Sequence, residues 1–471
     1  MLNGNMKKHL FVYMTVGIII VLSFLIFSSN FYPLLNSDDA ISVLMTHYFK
    51  LPNDFYFWGQ DRYGSLIPLI GQFFFKIFNF SALTSESISH YLILILGYFS
   101  FSTLFKSNFS KIVFAMIWFF PLFHFIGLVR YNFGVQYSLI GIAIYLINYI
   151  SKNNIVLYKK YLLLCIITLS LILSVWVSDT AILTIFIILA LLLLYYIKQK
   201  GNPIKLLTKP QTYFTVIGFF LCALFIWYAK SNSVRVTDYN ENIFNNVSSI
   251  YKAVILIRDT MIEIFTFKID NPVTCIYAYF ITALLIFFFF FIRKKHLKVG
   301  NSKWINIFIL DGFAVIFTTL VSAWALKNNM PRRYFTGAYI SFWLAFLLYI
   351  DNYPINLKSN IFKYFIVITV LIGSYSPIHY YINTNPKSLK SSASVVKEFE
   401  SLGEIGIISE YWNSYITTVT NPDLIKATPN EWSTIRNHNM IDSVFAQPKL
   451  FVIKDMWLDS FPDTLIQLPI N

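Results

Sequence analysis

Two adjacent carboxylates, Asp38 and Asp39, stand just after the first apolar segment in Asn36-Ser37-Asp38-Asp39-Ala40. Twenty residues on comes a dense polar and aromatic loop, Trp58-Gly59-Gln60-Asp61-Arg62-Tyr63-Gly64. Adjacent like charges repel, and more strongly as water is excluded, so a pair at the mouth of an apolar bundle needs a reason. Proton abstraction, cation binding and a solvated helix cap all supply one. A carboxylate near excluded lipid can have its pKa raised toward that of a working base. A cap, in which Ser37 or Asp38 accepts from the amides of a helix through Ile41, Leu44, Met45 and Tyr48, accounts for one carboxylate and leaves the other unexplained. In the loop, the two glycines point to a tight turn where backbone approaches another group closely. Gln60, Asp61, Arg62 and Tyr63 are the candidates there for holding a polar substrate, against the plain reading of an interfacial loop with aromatic anchors.

Further along, Arg130-Tyr131 and Arg332-Arg333-Tyr334 place arginines beside aromatics at the ends of apolar runs. A guanidinium forks onto phosphate or carboxylate, and it also serves as a snorkelling anchor. The histidines, among them His47, His90 and His124, are scattered and have no zinc-site spacing, so they read as structural. The three cysteines fall in or beside apolar runs and give no disulfide framework. No metal site is expected from spacing, although the acidic pair leaves a divalent cation open.

The elements that must position these residues are membrane spans. The 471 residues are 56% hydrophobic and only 13% charged, where a soluble chain averages about 25% charged. The net charge of +14 is carried in short Lys/Arg clusters between apolar runs, a membrane-topology pattern and not a nucleic-acid surface. Apolar runs occur near 10–28, 66–80, 88–105, 112–129, 134–150, 161–177, 180–197, 212–229, 273–292, 304–324, 334–350 and 361–380. The first is read as an uncleaved span, since no small-residue cleavage site follows it.

The run 66–80 is short and carries Pro68, Gln72 and Lys76. If it lies flat at the interface, the basic clusters, from Lys7 and Lys8 to Arg293–Lys298 and Lys358, all fall on one side. If it crosses, every later basic loop flips. The positive-inside rule therefore selects eleven spans, the N-terminus inside and the C-terminus outside the cytoplasmic membrane. Two large outer loops result, about 29–87 and 230–272. The second opens with the polar Tyr239-Asn240-Glu241-Asn242 and continues into an amphipathic surface helix through Ile250, Tyr251, Val254, Ile257 and Met261. The chain thus divides at about 383. Residues 1–383 form an all-α polytopic bundle. Residues 384–471 alternate helix and strand periods, with strands predicted at 405–408, 424–427 and 450–453, and form a small extracytoplasmic α/β domain packed on the bundle.

Together these motifs resemble the GT-C superfamily of multi-span glycosyltransferases, in its bacterial family-39-like branch, with the protein mannosyltransferases and the aminoarabinose transferases. The resemblance rests on the acidic pair Asp38-Asp39 after the first span, the loop Phe57-Trp58-Gly59-Gln60 with Gly64-Ser65-Leu66, Arg130 at the end of the third span, Arg333-Tyr334, and Tyr411-Trp412-x-x-Tyr415 in the tail. Asp39 stands where Glu is common in that family, which leaves the base open between Asp38 and Asp39. The resemblance implies inverting transfer of a sugar from a polyprenyl-phosphate donor to a lipid-linked glycan, lipopolysaccharide or protein acceptor at the outer face, with Arg130, Arg332 or Arg333 balancing the phosphate charge. Two other classes compete. A polysaccharide polymerase or flippase also has many spans and outer arginines. An ion-coupled transporter calls for ionisable residues within spans, for which Asp179 and Asp311 are the candidates.

Overall fold

A computed structural model of the chain describes residues 4–200, 202, 204, 208–234, 244–269, 271–292, 302–352, 360–384, 391–453 and 465–468. Tyr239–Asn242, Arg293–Lys298 and Lys358 lie outside these. Among the described residues nine helices are long and apolar enough to cross a membrane, and a bent pair makes a tenth. The protein is a multi-pass helical membrane protein with a small C-terminal sheet.

The nine include α1 (Gly4–Phe27), α7 (Asn132–Lys152), α8 (Leu157–Val177) and α9 (Ala181–Lys200). They continue with Pro210–Ser231, Pro272–Ile292, Ser302–Val321, Thr336–Asn352 and Asn360–Thr384. The bent pair is α5 (Asn108–Phe119) with Phe123–Arg130, which contains α6 (Gly127–Arg130), turned by 75° where a single straight span was expected. Pro121 sits at the break and cannot donate. The freed groups are met from the last long helix: Ser374 Oγ donates to Phe120 O at 3.0 Å, and Phe123 N donates to Ser376 Oγ at 2.9 Å. The bend turns Arg130 inward.

The eleventh expected span is α4 (Ala82–Ser102), which has the length but not the uniform apolarity. Its first turns bury Ser85, Glu86, Ser89 and His90 against the bundle. A helix shielded from lipid by its neighbours can carry such a face ahead of the apolar run expected at 88–105.

The helix α3 (Leu66–Phe78) has only 13 residues. Both its ends lie at one end of the bundle. Before it, Gly64 N donates to Trp176 O at the end of α8, at 2.9 Å. After it, Asn30 N at the end of α1 donates to Ser87 Oγ, at 3.3 Å. The expectation that 66–80 does not cross agrees with this geometry. At the opposite end, Asp351 accepts from Lys106 N at 2.7 Å and from the hydroxyls of Ser107 and Ser110 at 2.6 Å.

The expected surface helix forms as Val247–Phe265. Ala253 and Ile264 are buried, Leu256 and Ile257 pack on the bundle, and Tyr251, Val254 and Met261 stay exposed. An apolar face left outward suits a helix lying on lipid.

In the tail, β1 (Ile405–Ser409) pairs in parallel with β2 (Ile425–Pro429) and with β3 (Leu450–Ile453), all near their predicted positions. A fourth strand, β4 (Leu465–Leu468), adds antiparallel to β3, giving the order β2-β1-β3-β4. The tail shares an apolar core with the helix α2 (Ser37–Tyr48). Ile41, Leu44 and Met45 are buried in one cluster with Ile405, Ile407, Tyr415 and Ile416. Tail and acidic pair are thus built against each other.

Candidate active site

The fold gives Asp38 and Asp39 different jobs. The cap of α2 is Asn36, not Ser37 or Asp38. Asp39 N donates to Asn36 Oδ1 at 3.2 Å, and Asn36 N donates to Asp39 Oδ2 at 3.1 Å, a reciprocal capping box. The same Asp39 carboxylate is ion-paired with Arg130, whose guanidinium lies 3.1 Å from the ring centroid of Tyr32. Both side chains are buried, 3% and 2% exposed. Burial is the largest influence on the Asp39 carboxyl and raises its pKa, opposed by Arg130 and the Asn36 amide. The pair is a rivet between α2 and α6.

Asp38, one residue before it, is half-buried and faces a cavity. Its Oδ1 accepts from the Tyr411 hydroxyl at 2.6 Å. Burial raises Tyr411, first of several causes, so the phenol stays a donor. Arg436 steadies it: Nε donates to the Tyr411 oxygen at 3.3 Å, and the guanidinium lies 5.0 Å from the ring centroid. Arg436 N also donates to the Tyr415 hydroxyl at 2.9 Å. The Tyr-Trp-x-x-Tyr element of the tail therefore sets the second oxygen environment of the acidic pair. Ser37 Oγ donates to Tyr411 O and ties the two segments together.

Both loop glycines meet the close approach that their type suggests. Gly59 has φ of +75°, and a Cβ on it would sit 3.0 Å from Arg436 Cδ. A Cβ on Gly64 would sit 2.4 Å from Trp176 O. The loop between them closes as a hairpin through a Tyr56–Gly64 bridge. Asp54 fastens it, accepting from Trp58 Nε1 at 3.0 Å and Lys50 N at 2.6 Å.

The cavity has a volume of about 1300 Å³. It brings together Asp38, Asp39, Gln60, Arg62, Tyr63, Arg130, Tyr131, Arg333 and Tyr334 from widely separated segments. Asp61 and Arg332 do not line it. Arg332 Nη1 instead contacts His124 Nε2 at 2.6 Å. Arg62 stacks 4.7 Å from the Trp324 ring centroid, and Asn36 Nδ2 donates to the Tyr131 hydroxyl at 2.8 Å. Arg333 lies 5.7 Å from the Tyr334 ring centroid and forms no ion pair among the described residues. Arg130 Nη1 is buried without a hydrogen-bond partner among them.

The walls differ in chemistry. One side is apolar, with Phe133, Ile182, Leu183, Phe186 and Val315. Ile182 is 57% and Phe186 68% exposed, so the cavity opens sideways between membrane helices. The other side is polar and comes from the tail, including Glu410, Trp412, Glu431 and Arg436.

Several of these features were missed in the sequence. Glu86 lines the cavity, 3% exposed, with Ser42 Oγ donating to its Oε1 at 3.4 Å. Its one signal was an acid at the start of an apolar run. Asp179 and Asp311, which had no obvious partners in sequence, have them here. Lys230 Nζ is 2.7 Å from Asp179, and Asp311 Oδ2 accepts from Tyr137 at 3.0 Å and Ser341 at 2.5 Å. Among the described residues no group of three or more His, Cys, Asp or Glu is placed to hold a metal ion.

No family model matches the chain, and no curated protein does. Solved structures do. An archaeal oligosaccharyltransferase, AglB from Archaeoglobus fulgidus, is 11% identical, with a TM-score of 0.42 over 94% of this chain and 69% of its own. ArnT from Cupriavidus metallidurans is 7% identical, with a TM-score of 0.45 over 91% of this chain and 87% of its own. At these identities and TM-scores nothing is carried from them to individual residues of this chain.

Proposed function

We propose that the protein is a membrane glycosyltransferase that moves a sugar, with inversion, from a polyprenyl-phosphate donor to an acceptor hydroxyl on the extracytoplasmic face of the cytoplasmic membrane. One observation carries this reading: a single cavity joins a half-buried carboxylate, arginines and an apolar wall open toward lipid. A lipid-linked phosphosugar has those three parts. Its tail suits the opening beside Ile182 and Phe186, and its phosphate suits Arg333, which has no ion pair among the described residues. Arg130 adds the free arm of a guanidinium otherwise held by Asp39.

Asp38 is the general base. It takes the proton of the acceptor hydroxyl as that oxygen attacks the anomeric carbon, and the bond from carbon to the phosphate oxygen breaks. The electron pair leaves with the polyprenyl phosphate, whose charge Arg333 balances in a site shielded from water. Tyr411 holds Asp38 in place. The Asp39–Arg130 pair fixes the start of α2 and so aims Asp38 at the cavity. Gln60, Arg62, Tyr63, Tyr131 and Tyr334 line the space left for the sugar. The acceptor is a lipid-linked glycan, a lipopolysaccharide or a protein.

The test is transfer in proteoliposomes from a panel of labelled undecaprenyl-phosphate sugars to envelope extract. One donor supports transfer, and Asp38→Asn lowers its rate by about 10²–10⁴, the range for a lost general base. No transfer from any donor, or a wild-type rate in Asp38→Asn, overturns the proposal.

A further inference from the structure

The tail wall of the cavity has a chemistry that the donor does not use. Glu410 and Glu431 line it, and neither carboxylate has an ion pair among the described residues. Trp412 lines it beside Glu410, with its ring 5.0 Å from that of Tyr411. Thr434 lines it one turn beyond Glu431. Trp432, next in sequence to Glu431, does not itself line the cavity and is 71% exposed. The His438 ring backs it at 4.4 Å with an interplanar angle of 36°.

An indole held open to water next to a cavity-lining carboxylate leaves a large apolar face free to stack on a ligand. Here it is braced by a second ring and follows Glu431, which has no ion pair among the described residues. A pyranose fits that combination. Its C–H face stacks on an indole, and its neighbouring hydroxyls donate in pairs to a carboxylate. The wall is unlike a peptide groove. An extended peptide adds to a free sheet edge. Of the two edge strands, β2 is buried at every residue but Lys426.

We propose that Trp432, with Glu431, Glu410 and Trp412, forms a carbohydrate subsite that holds the acceptor, so that the acceptor is itself a glycan. This rests on the transferase reading only in calling the bound glycan the acceptor. The subsite is built from the tail, and the lipid opening from membrane helices. Donor and acceptor would then enter from different sides and meet at Asp38.

The experiment uses the full chain in lipid nanodiscs and saturation-transfer NMR with maltotetraose, cellotetraose, chitotetraose and mannotetraose. At least one sugar receives saturation on its ring protons. Trp432→Ala and Glu431→Gln each reduce that signal at least fivefold, and Trp432→Phe restores most of it. Arg333→Ala leaves it unchanged. Trp432 is surface-exposed, so its removal does not threaten the fold. No saturation of any sugar overturns the proposal, as does a signal indifferent to Trp432 and Glu431. Binding of a Lys-rich pentapeptide through these residues, in place of the sugars, also overturns it. Undecaprenyl phosphate binding is measured on the same samples. Its loss in wild type with sugar binding intact counts against the donor reading alone, and sugar loss with phosphate binding intact counts against the subsite alone.

Discussion

Breaking the Asp39–Arg130 pair one side at a time, and then on both sides, separates its structural work from the chemistry of Asp38. Both side chains are essentially without solvent, so removing either charge strands the other in a low-dielectric site. Stranding one partner of a buried pair costs about 3–5 kcal/mol. Asp39→Asn keeps an acceptor for the Asn36 amide, so the cap contributes little to its loss. Arg130→Gln also gives up the stacking on Tyr32, a further ~0.5–2 kcal/mol. With both charges gone, two neutral amides of similar size face each other, and the double variant loses less than the sum of the singles by a coupling term on the order of 2–3 kcal/mol. A few kcal/mol on a chain of this size lowers the unfolding midpoint by about 5 °C, since the shift per kcal/mol shrinks with length. The assay is tryptophan emission against temperature in a single detergent, for wild type, the two single variants and the double variant. Asp38→Asn serves as the contrast. It is half-buried, and an amide oxygen still accepts from Tyr411, so its midpoint stays within about 1 °C of wild type. A single variant as stable as wild type, or a double variant that falls by the sum of the singles, refutes the rivet.

Two further expectations follow from the same geometry. Arg333→Ala raises the apparent donor KM about 10- to 100-fold, the equivalent of a lost charged hydrogen bond, and leaves the acceptor KM alone. Arg333→Lys recovers part of it, because an ammonium keeps the charge and loses the fork, and an unchanged donor KM in Arg333→Ala removes this residue from the phosphate site. Reporter fusions after Phe80 and after Asn385 both report the extracytoplasmic side; a cytoplasmic signal at Asn385 contradicts the sidedness.

The two arginine motifs show where sequence reading reached its limit. Arg130 and Arg332–Arg333 stand beside aromatics in the same way, and the pattern gave them one role. The structure separates them. Arg130 is carried inward by the bend at Pro121 and meets Asp39, Arg332 turns to His124, and Arg333 faces the cavity. None of those directions is a property of local sequence. Likewise the apolar run 88–105 marked α4 as a span, but its buried polar first turns are permitted by neighbours that only the packed bundle provides.

The sequence by itself determined what depends on composition and short-range pattern. Apolar run lengths and the placement of lysines and arginines specify the spans and the flat course of 66–80, because each segment partitions into lipid or water largely on its own account. Period and turn residues likewise located three of the four tail strands. Tertiary structure decided which carboxylate is which. Adjacent residues on a helix point about 100° apart, so Asp38 and Asp39 had to face different surroundings. Only the packing of α2 between α6 and the tail determined that one would meet Arg130 and the other Tyr411, 373 residues away. That choice depends on long-range contacts, which no window of sequence contains.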